Sequence, residues 1–317
     1  MTVTQLSTFV LVARLGSVGA AARTLDVSES AVSQALTALR THYGDPLIRR
    51  TGGGMRLTPA GARLLPVASR MVALNADAEA AVRVARGAPD ELRVVATSTL
   101  AEFVLPSLME AFACRSGRRT ETSFGVASGS ARRVLVENRL ADVGLGPRLG
   151  TDRRGELVSE PLFRAELVVV TGARSPRPPG PPSQWSWLVD SSGTDPEADS
   201  GRLLRRLGVA EGHVWVFPNQ AATWAAAAEG AGVAPAPAHL VSPRVRREEL
   251  RILETPATPS DATWHAVVLP PGVRSPATDA FLHFLHTPAA TRIMRAPGTG
   301  VPPSRFRPPV YVTLWGA

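Results

Sequence analysis

The chain has no lysine, so all 35 of its basic residues are arginine. A GC-rich coding sequence would explain that bias without any functional cause. Its physical consequence holds regardless: any phosphate contact from a basic side chain must use the planar guanidinium fork, which can bind bidentately. A phosphate-cradling glycine loop that ends in lysine is excluded. The single cysteine, Cys114, rules out an internal disulfide framework and fits a reducing cytoplasm. Its helix-like surroundings suggest a small buried packing residue. Apolar runs such as 167–170 and 225–228 fall far short of the roughly 20 residues that cross a bilayer. No charged segment followed by an apolar stretch and a small-residue cleavage site opens the chain, so no signal peptide is expected.

What is present is ordinary for a globular protein: 44% hydrophobic and 20% charged residues over 317 positions. That length suits two or three domains rather than one core. The net charge of +8 favours a polyanionic partner.

The first sixty residues carry the sharpest pattern. Leu6, Phe9, Val10 and Ala13 recur at helical spacing until Gly16 ends the run. Ser17 can cap a second helix whose inner face is Ala21, Ala22 and Leu25. Asp26 and Val27 make a short turn, with Val27 expected to point inward. Ser28 is an N-cap for a third helix from Glu29 to about Arg40. There Val32, Leu36 and Leu39 form an apolar face, while Ser30, Ser33, Gln34 and Thr37 fall on the opposite one. Two short helices around a tight turn, with a polar outer face, describe a helix-turn-helix. Any surface helix is polar outside, so the pattern gains weight from the residues beyond the third helix. Residues 46–51, a glycine turn at 52–54, and residues 55–58 read as two short strands, a wing bearing Arg49, Arg50 and Arg56. Those arginines suit phosphate or minor-groove contact.

Residues 4–65 resemble the DNA-binding domain of LysR-type regulators. The resemblance is carried by Phe9, Gly16-Ser17, Ala21-Ala22, Leu25, Val27-Ser28, Ala31-Val32-Ser33, Leu39, Gly44, Leu47, Arg50-Thr51, Leu57-Thr58 and Ala60-Gly61, in order. It implies a DNA contact set of Ser28, Glu29, Ser30, Ser33, Gln34, Thr37, Arg40, Arg49, Arg50 and Arg56. Three departures bear on the operator. Glu29-Ser30 stands where the family commonly has Gln-Pro, Gln34 stands where a basic residue is frequent, and the wing tip, Gly53, lacks a basic residue. A carboxylate cannot accept from guanine but can accept from the cytosine amino group.

Thr58-Pro59 opens a long helix and Gly87 with Pro89 closes it. Val67, Met71, Leu74, Ala78, Ala81 and Ala85 repeat at intervals of four and three, an a/d seam along which two copies can pair. The competing reading is an amphipathic helix packed on its own domain. Pro66 should kink it or leave one carbonyl unpaired. The resemblance implies a dimer through this helix, an interrupted palindromic operator, and assembly to a tetramer.

From Leu92 onward, strands and helices alternate: strands at 92–96, 120–126 and 142–145, and helices at 101–113 and 131–139. A second set runs from residue 167, with elements at 199–207, 214–217, 221–229 and 233–236, before a returning strand at 264–269 and a helix at 278–285. Alternation argues for a parallel α/β sheet. The proline-rich stretch 174–183 reads as a surface loop. Residues 91–290 resemble the family's effector domain, two Rossmann-like lobes akin to a type 2 periplasmic binding protein, by Leu105-Pro106, Asp142 with Gly144, Gly193-Thr194, and Gly230 with Gly232.

The expected fold class is therefore α/β, with an N-terminal, mainly helical winged helix-turn-helix. The expected divisions are 1–57, DNA binding; 58–88, linker; 89–296, effector domain; and 297–317, a tail without a functional account. Lobe I covers about 89–164 and 265–296, and lobe II about 165–264. Ligands in such folds sit outside the carboxyl ends of strands. That position selects Thr97, Ser98, Thr99, Ser128, Gly129 and Ser130 from one lobe and Thr194, Asn219 and Gln220 from the other. Hydroxyls and N–H groups at helix N-termini suit a small anion, although the same residues can simply cap helices.

No catalytic constellation is present. His283 and His286 lie three apart but lack a third ligand, and residues 125–129 miss the nucleophile-elbow spacing by one. The expectation is a cytoplasmic, non-enzymatic transcription regulator without cofactor. Its partners would be double-stranded DNA, a small-molecule effector, further copies of itself and, as another candidate, RNA polymerase. A free ligand-binding protein, and an architectural or replication-modulating DNA binder without an effector, are the competing readings.

Overall fold

The computed structural model describes residues 1–51, 54–117, 120–150 and 157–296. Three helices, α1 (Val3–Leu15), α2 (Val18–Leu25) and α3 (Glu29–Tyr43), precede a two-stranded wing of β1 (Ile48–Thr51) and β2 (Gly54–Leu57). Local chemistry sets each boundary. Thr2 and Gln5 form a capping box on α1, Ser17 and Ser28 cap α2 and α3, and Gly16 and Gly44 end α1 and α3 in the left-handed region. Each such cap contributes about 1 kcal/mol. Leu6, Phe9, Val10, Ala21, Ala22, Leu25, Val32 and Leu39 are buried together, as the apolar spacing requires. Val27 is a correction: it stands 39% exposed, because Asp26 takes a left-handed turn (φ 51°) that swings the chain outward before α3.

The wing is antiparallel, pairing Ile48 with Leu57, Arg49 with Arg56 and Arg50 with Met55. Its root is tied by Asp45, whose Oδ1 accepts from the Leu47 N–H (2.6 Å) and from the Thr58 hydroxyl (2.7 Å). Those bonds hold the Asp45 carboxyl below its usual range. Gly61 is needed at this joint, since a Cβ there would lie 2.0 Å from the Leu47 carbonyl oxygen. The glycine tip, Gly53 included, lies outside the described residues, and so does the tail.

The linker helix α4 (Pro59–Ala85) continues through Pro66 for 27 residues, and the ring nitrogen there has no proton to give the carbonyl of Ala62. Gly61, Ala68 and Val72 face inward, whereas Val67, Met71, Leu74, Ala78 and Ala81 are all exposed, Leu74 by 66%.

The remainder forms two lobes. In the first, β3 (Asp90–Ala96), β4 (Thr120–Val126), β5 (Val143–Pro147), β6 (Val158–Phe163) and β13 (Trp264–Val268) make a sheet of order β4-β3-β5-β13-β6. It is packed by α5 (Ser98–Phe103), α6 (Leu105–Ser116), α7 (Gly129–Glu137), α11 (Pro276–Leu285) and α12 (Pro288–Arg295). In the second, β7 (Glu166–Gly172) is flanked by β10 (Ala234–Pro237), β11 (Leu250–Leu253) and β12 (Ser260–Asp261), with β8 (Trp187–Asp190) and β9 (Val214–Phe217) paired alongside. Its helices are α8 (Asp199–Arg206), α9 (Gln220–Ala228) and α10 (Ala238–Arg246).

The expected parallel sheet holds only in part. β3 is parallel to β4 and β5, and β8 to β9, but β13 runs antiparallel to β5 and β6, and every partner of β7 is antiparallel. The chain crosses between lobes and returns, so its last strand enters the first sheet from the opposite end. The single helix expected at 101–113 is two, α5 and α6, which meet at Val104 just before Pro106. Cys114 lies on the exposed side of α6 rather than in the core. One apolar cluster joins both lobes through Leu105, Phe112, Trp187, Trp264 and Phe281. Another joins α1 to Ala131, Leu135 and Val136 of α7, so the N-terminal domain packs on the first lobe. Arg139 extends that contact by an ion pair to Asp77 of α4 (2.6 Å).

Candidate nucleic-acid interface and interlobe site

The residues named for DNA contact are each exposed: Ser28, Glu29, Ser30, Ser33, Gln34, Thr37 and Arg40 on or before α3, and Arg49, Arg50 and Arg56 on the wing. Register divides the arginines. Arg49 and Arg56 face each other across the hairpin on one side, and Arg50 points to the other side with Met55. Arg50 there lines a cleft of about 460 Å³ with Gly16, Ser17, Val18, Gly19, Arg23 and Glu29. Arg23 and the start of α2 were missed by the sequence reading. The N-cap Ser17 was the available signal, since a capped helix start presents N–H groups suited to a phosphate. Glu29 leans back over Gly19, where its Oε1 would lie 2.7 Å from an added Cβ. It therefore belongs to this cleft.

Along α3 the hydroxyls form a ladder. Ser33 donates to the Glu29 carbonyl (2.8 Å), Thr37 to that of Ser33 (2.9 Å) and Thr41 to that of Thr37 (3.1 Å). With their protons engaged, Ser33 and Thr37 present lone pairs, which suit the amino groups of adenine or cytosine. Gln34 and Arg40 supply the donors.

Between the lobes, Thr97, Thr99 and Gln220 meet Pro147, Leu167, Asp199, Ser200, Pro235, Pro237 and Trp264 around a cavity of about 30 Å³. The remaining residues selected from the sequence take other roles. Ser98 donates to Asp190 across the lobes. Ser128 and Asn219 accept from Ala131 N and Ala222 N as caps of α7 and α9, and Thr194 bonds back to the Ser191 carbonyl. Ser130 lies exposed, within 3.3 Å of the Ser128 hydroxyl.

Both helix N-termini are occupied by carboxylates of this chain. Gly129 N donates to Asp195 Oδ2 (2.7 Å), and Gln220 N and Ala221 N donate to Glu102 (3.0 and 3.1 Å). Each carboxylate reaches across from the opposite lobe. Burial raises Glu102 to about 7 against the two N–H bonds that pull it down. Burial likewise raises Asp199 to about 6, opposed by Arg202 and then Arg132. Phe103 stacks on Trp224 (4.9 Å) beside the Glu102 contact.

Arg132 is the outlying group. It is 1% exposed, its Nη2 donates to the Pro147 carbonyl (3.3 Å), and its Nε and Nη1 have no partner. Burial lowers it to about 10, against the nearby Asp195, Glu197 and Asp199, so it stays cationic at neutral pH. Among the described residues no acidic oxygen pairs with it, and no cluster could hold a metal. His283 and His286 are both exposed, and His286 lies against Glu160 (3.3 Å). No helix among the described residues is long and apolar enough to cross a membrane.

A winged helix-turn-helix joined by a long helix to a two-lobed α/β domain defines a DNA-binding regulator with an attached ligand domain. The chain belongs to the LysR family of transcription regulators. Residues 3–62 match the bacterial regulatory helix-turn-helix proteins of the lysR family, and residues 85–289 match the LysR substrate binding domain. The chain is 31% identical to a helix-turn-helix transcriptional regulator of Mycobacterium tuberculosis strain H37Rv, over 99% of this chain and 100% of that protein. It is 29% identical to TfdS of Cupriavidus pinatubonensis, over 79% of this chain and 86% of the relative. Among solved structures, Corynebacterium glutamicum OxyR shares the fold with a TM-score of 0.52 at 21% identity, covering 93% of this chain and 94% of that one. Full-length CbnR in complex with its target DNA does so with a TM-score of 0.51 at 20% identity, over 90% and 99% of the two chains.

Proposed function

We propose that the protein is a ligand-responsive regulator acting in the cytoplasm, which binds an interrupted palindromic operator as a symmetric dimer and takes a small effector between its lobes. The observation that carries this reading is the packing of α7 on α1: the helix whose N-terminus sits at the interlobe site also touches the DNA-binding domain. A change at the cleft thereby has a physical route to α3. The exposed seam Val67, Met71, Leu74, Ala78 and Ala81 supports pairing through α4, because a single chain leaves it in water. Further exposed apolar residues, Trp215 (61% exposed) and Val216 on strand β9 and Phe124 on the edge strand β4, support assembly to a tetramer. RNA polymerase would be met by the DNA-bound assembly. The residues of the cleft carry no catalytic constellation in this reading; they hold and report a ligand.

The test is a footprint on the DNA upstream of the protein's own gene, repeated across a salt series. The expected result is a discrete, two-fold protected site whose affinity falls steeply with salt. Diffuse protection would replace this reading by an architectural DNA binder. Thr99→Val should abolish effector response with the footprint intact, and loss of both would make Thr99 structural.

A further inference from the structure

We infer that Arg132 is the anchor for the carboxylate of a small organic acid bound between the lobes. This rests on the effector reading above and names the chemistry of that site.

The sequence placed an anion at the N-termini of α7 and α9, but Asp195 and Glu102 already occupy them. The unmet demand is for hydrogen bonds and lies one turn along α7, where Asp195, Glu197 and Asp199 act on Arg132 by charge but, among the described residues, none pairs with it. Arg132 is buried to 1% with two of its three nitrogens unpaired. Its guanidinium lies beneath the wall made by Thr97 and Pro147, two of the residues that line the 30 Å³ cavity.

The fold makes room for it at some cost. Strand β5 carries glycine at 144 and 146, and a Cβ on Gly146 would lie 2.6 Å from Arg132 Nη1 and 2.9 Å from the Thr97 methyl. Glycine inside a strand marks a place where another group must come close. A buried cation with unmet donors is costly unless an oxyanion completes it, and a carboxylate matches the guanidinium plane. Thr97, Thr99, Ser200 and Gln220 then supply neutral hydrogen bonds around it.

The space open to a ligand between the lobes is small, about 30 Å³, and suits a small acid. A larger acid enters only as the cross-lobe contacts of Asp195, Glu102 and Ser98 part.

The test is thermal unfolding of the full chain with formate, acetate or glycolate, against formamide and acetamide, at constant ionic strength set with chloride. The carboxylates should raise Tm saturably by a few degrees and the amides should not. Arg132→Met should lose that response while its ligand-free Tm equals or exceeds the wild-type value, because an unpaired buried charge is gone. Arg132→Lys, which keeps the charge but not the fork, should need at least tenfold more carboxylate for the same shift. The proposal is overturned if amides act like carboxylates, if no carboxylate shifts the wild type, or if Arg132→Met responds at the wild-type midpoint. It is equally overturned if Arg132→Met lowers the ligand-free Tm by several degrees, which would make the arginine a structural brace. A response that survives Arg132→Met but disappears in Thr99→Val would keep the cleft as the effector site and remove only this anchor. The footprint, read separately, decides the regulator reading.

Discussion

The two faces of this molecule treat their polar groups in opposite ways. On α3 and the wing, Gln34, Arg40, Arg49, Arg50 and Arg56 stand exposed. Between the lobes, Glu102 and Asp195 already fill the helix ends that a ligand would use. The contrast shows how each site handles water. An open surface keeps its donors hydrated until a large polyanion displaces that water, whereas a closed cleft must satisfy its own groups or carry the cost of burial. Arg132, with the Oε2 of Glu197 nearby, carries that cost.

The largest effect should come from removing the dimer that presents two copies of the open face. Leu74→Asp puts a charge into the exposed seam of α4. It should yield monomers in sedimentation and lower operator affinity by about a hundredfold, the order lost when two linked sites become one. Unchanged affinity would mean that α4 does not pair.

Next is Arg50→Ala, in the cleft beside the start of α2. It should weaken binding to all sequences roughly tenfold and reduce the slope of log affinity against log salt by about 1. A change confined to sequence preference would move Arg50 to a base edge. Gln34→Ala should do the reverse, relaxing preference at one base position by roughly 1 kcal/mol or more with the salt slope preserved. Competition binding on single-base operator variants reads this.

The smallest effect lies in the closed cleft. Glu102 is raised to about 7 in the folded chain. The folded state therefore holds its proton more tightly than the unfolded one, and the associated stability is full below about 4.5 and lost as pH rises through about 7. Asp199, raised to about 6, acts in the same direction. His239, lowered to about 4 by burial, acts oppositely, costing stability as pH falls below about 6.5. Glu102→Gln should flatten the decline of Tm between pH 5 and 8 by a few degrees, without removing the share due to Asp199. A variant that tracks the wild type across that range would deny Glu102 its role between the lobes.

The N-terminal module was legible because its determinants are local. Caps at Ser17 and Ser28, stops at Gly16 and Gly44, and the apolar spacing of Leu6, Phe9, Val32 and Leu39 act within a few residues of themselves. Val27 escaped because a left-handed turn at Asp26, which no spacing rule reports, sets its direction. In the effector domain several strands were found, but not β6, β8, β11 or β12, nor the sense of β13, which joins β5 from 117 to 123 residues away. The cleft was half legible. Thr97, Thr99 and Gln220 follow from where strands and helices end, but Glu102 meets Gln220 across 118 residues and Asp195 meets Gly129 across 66. Arg132 looked like one basic residue among many on a helix. Only burial and the lack of partners distinguish it from its neighbour Arg133, which is partly exposed and donates to the Gly150 carbonyl.

The unbroken helix α4 also works as a lever. Its 27 residues span about 40 Å at 1.5 Å each. Its middle is fastened to the effector domain by Asp77 and Arg139, and its far end carries the wing and α3. Over the arm of about 27 Å from Asp77 to Pro59, a rotation of about 7° moves the tip by roughly 3.3 Å, close to the rise of one base pair. A tilt too small to notice inside the cleft is thus enough to put a reading head one step out of phase with its half-site.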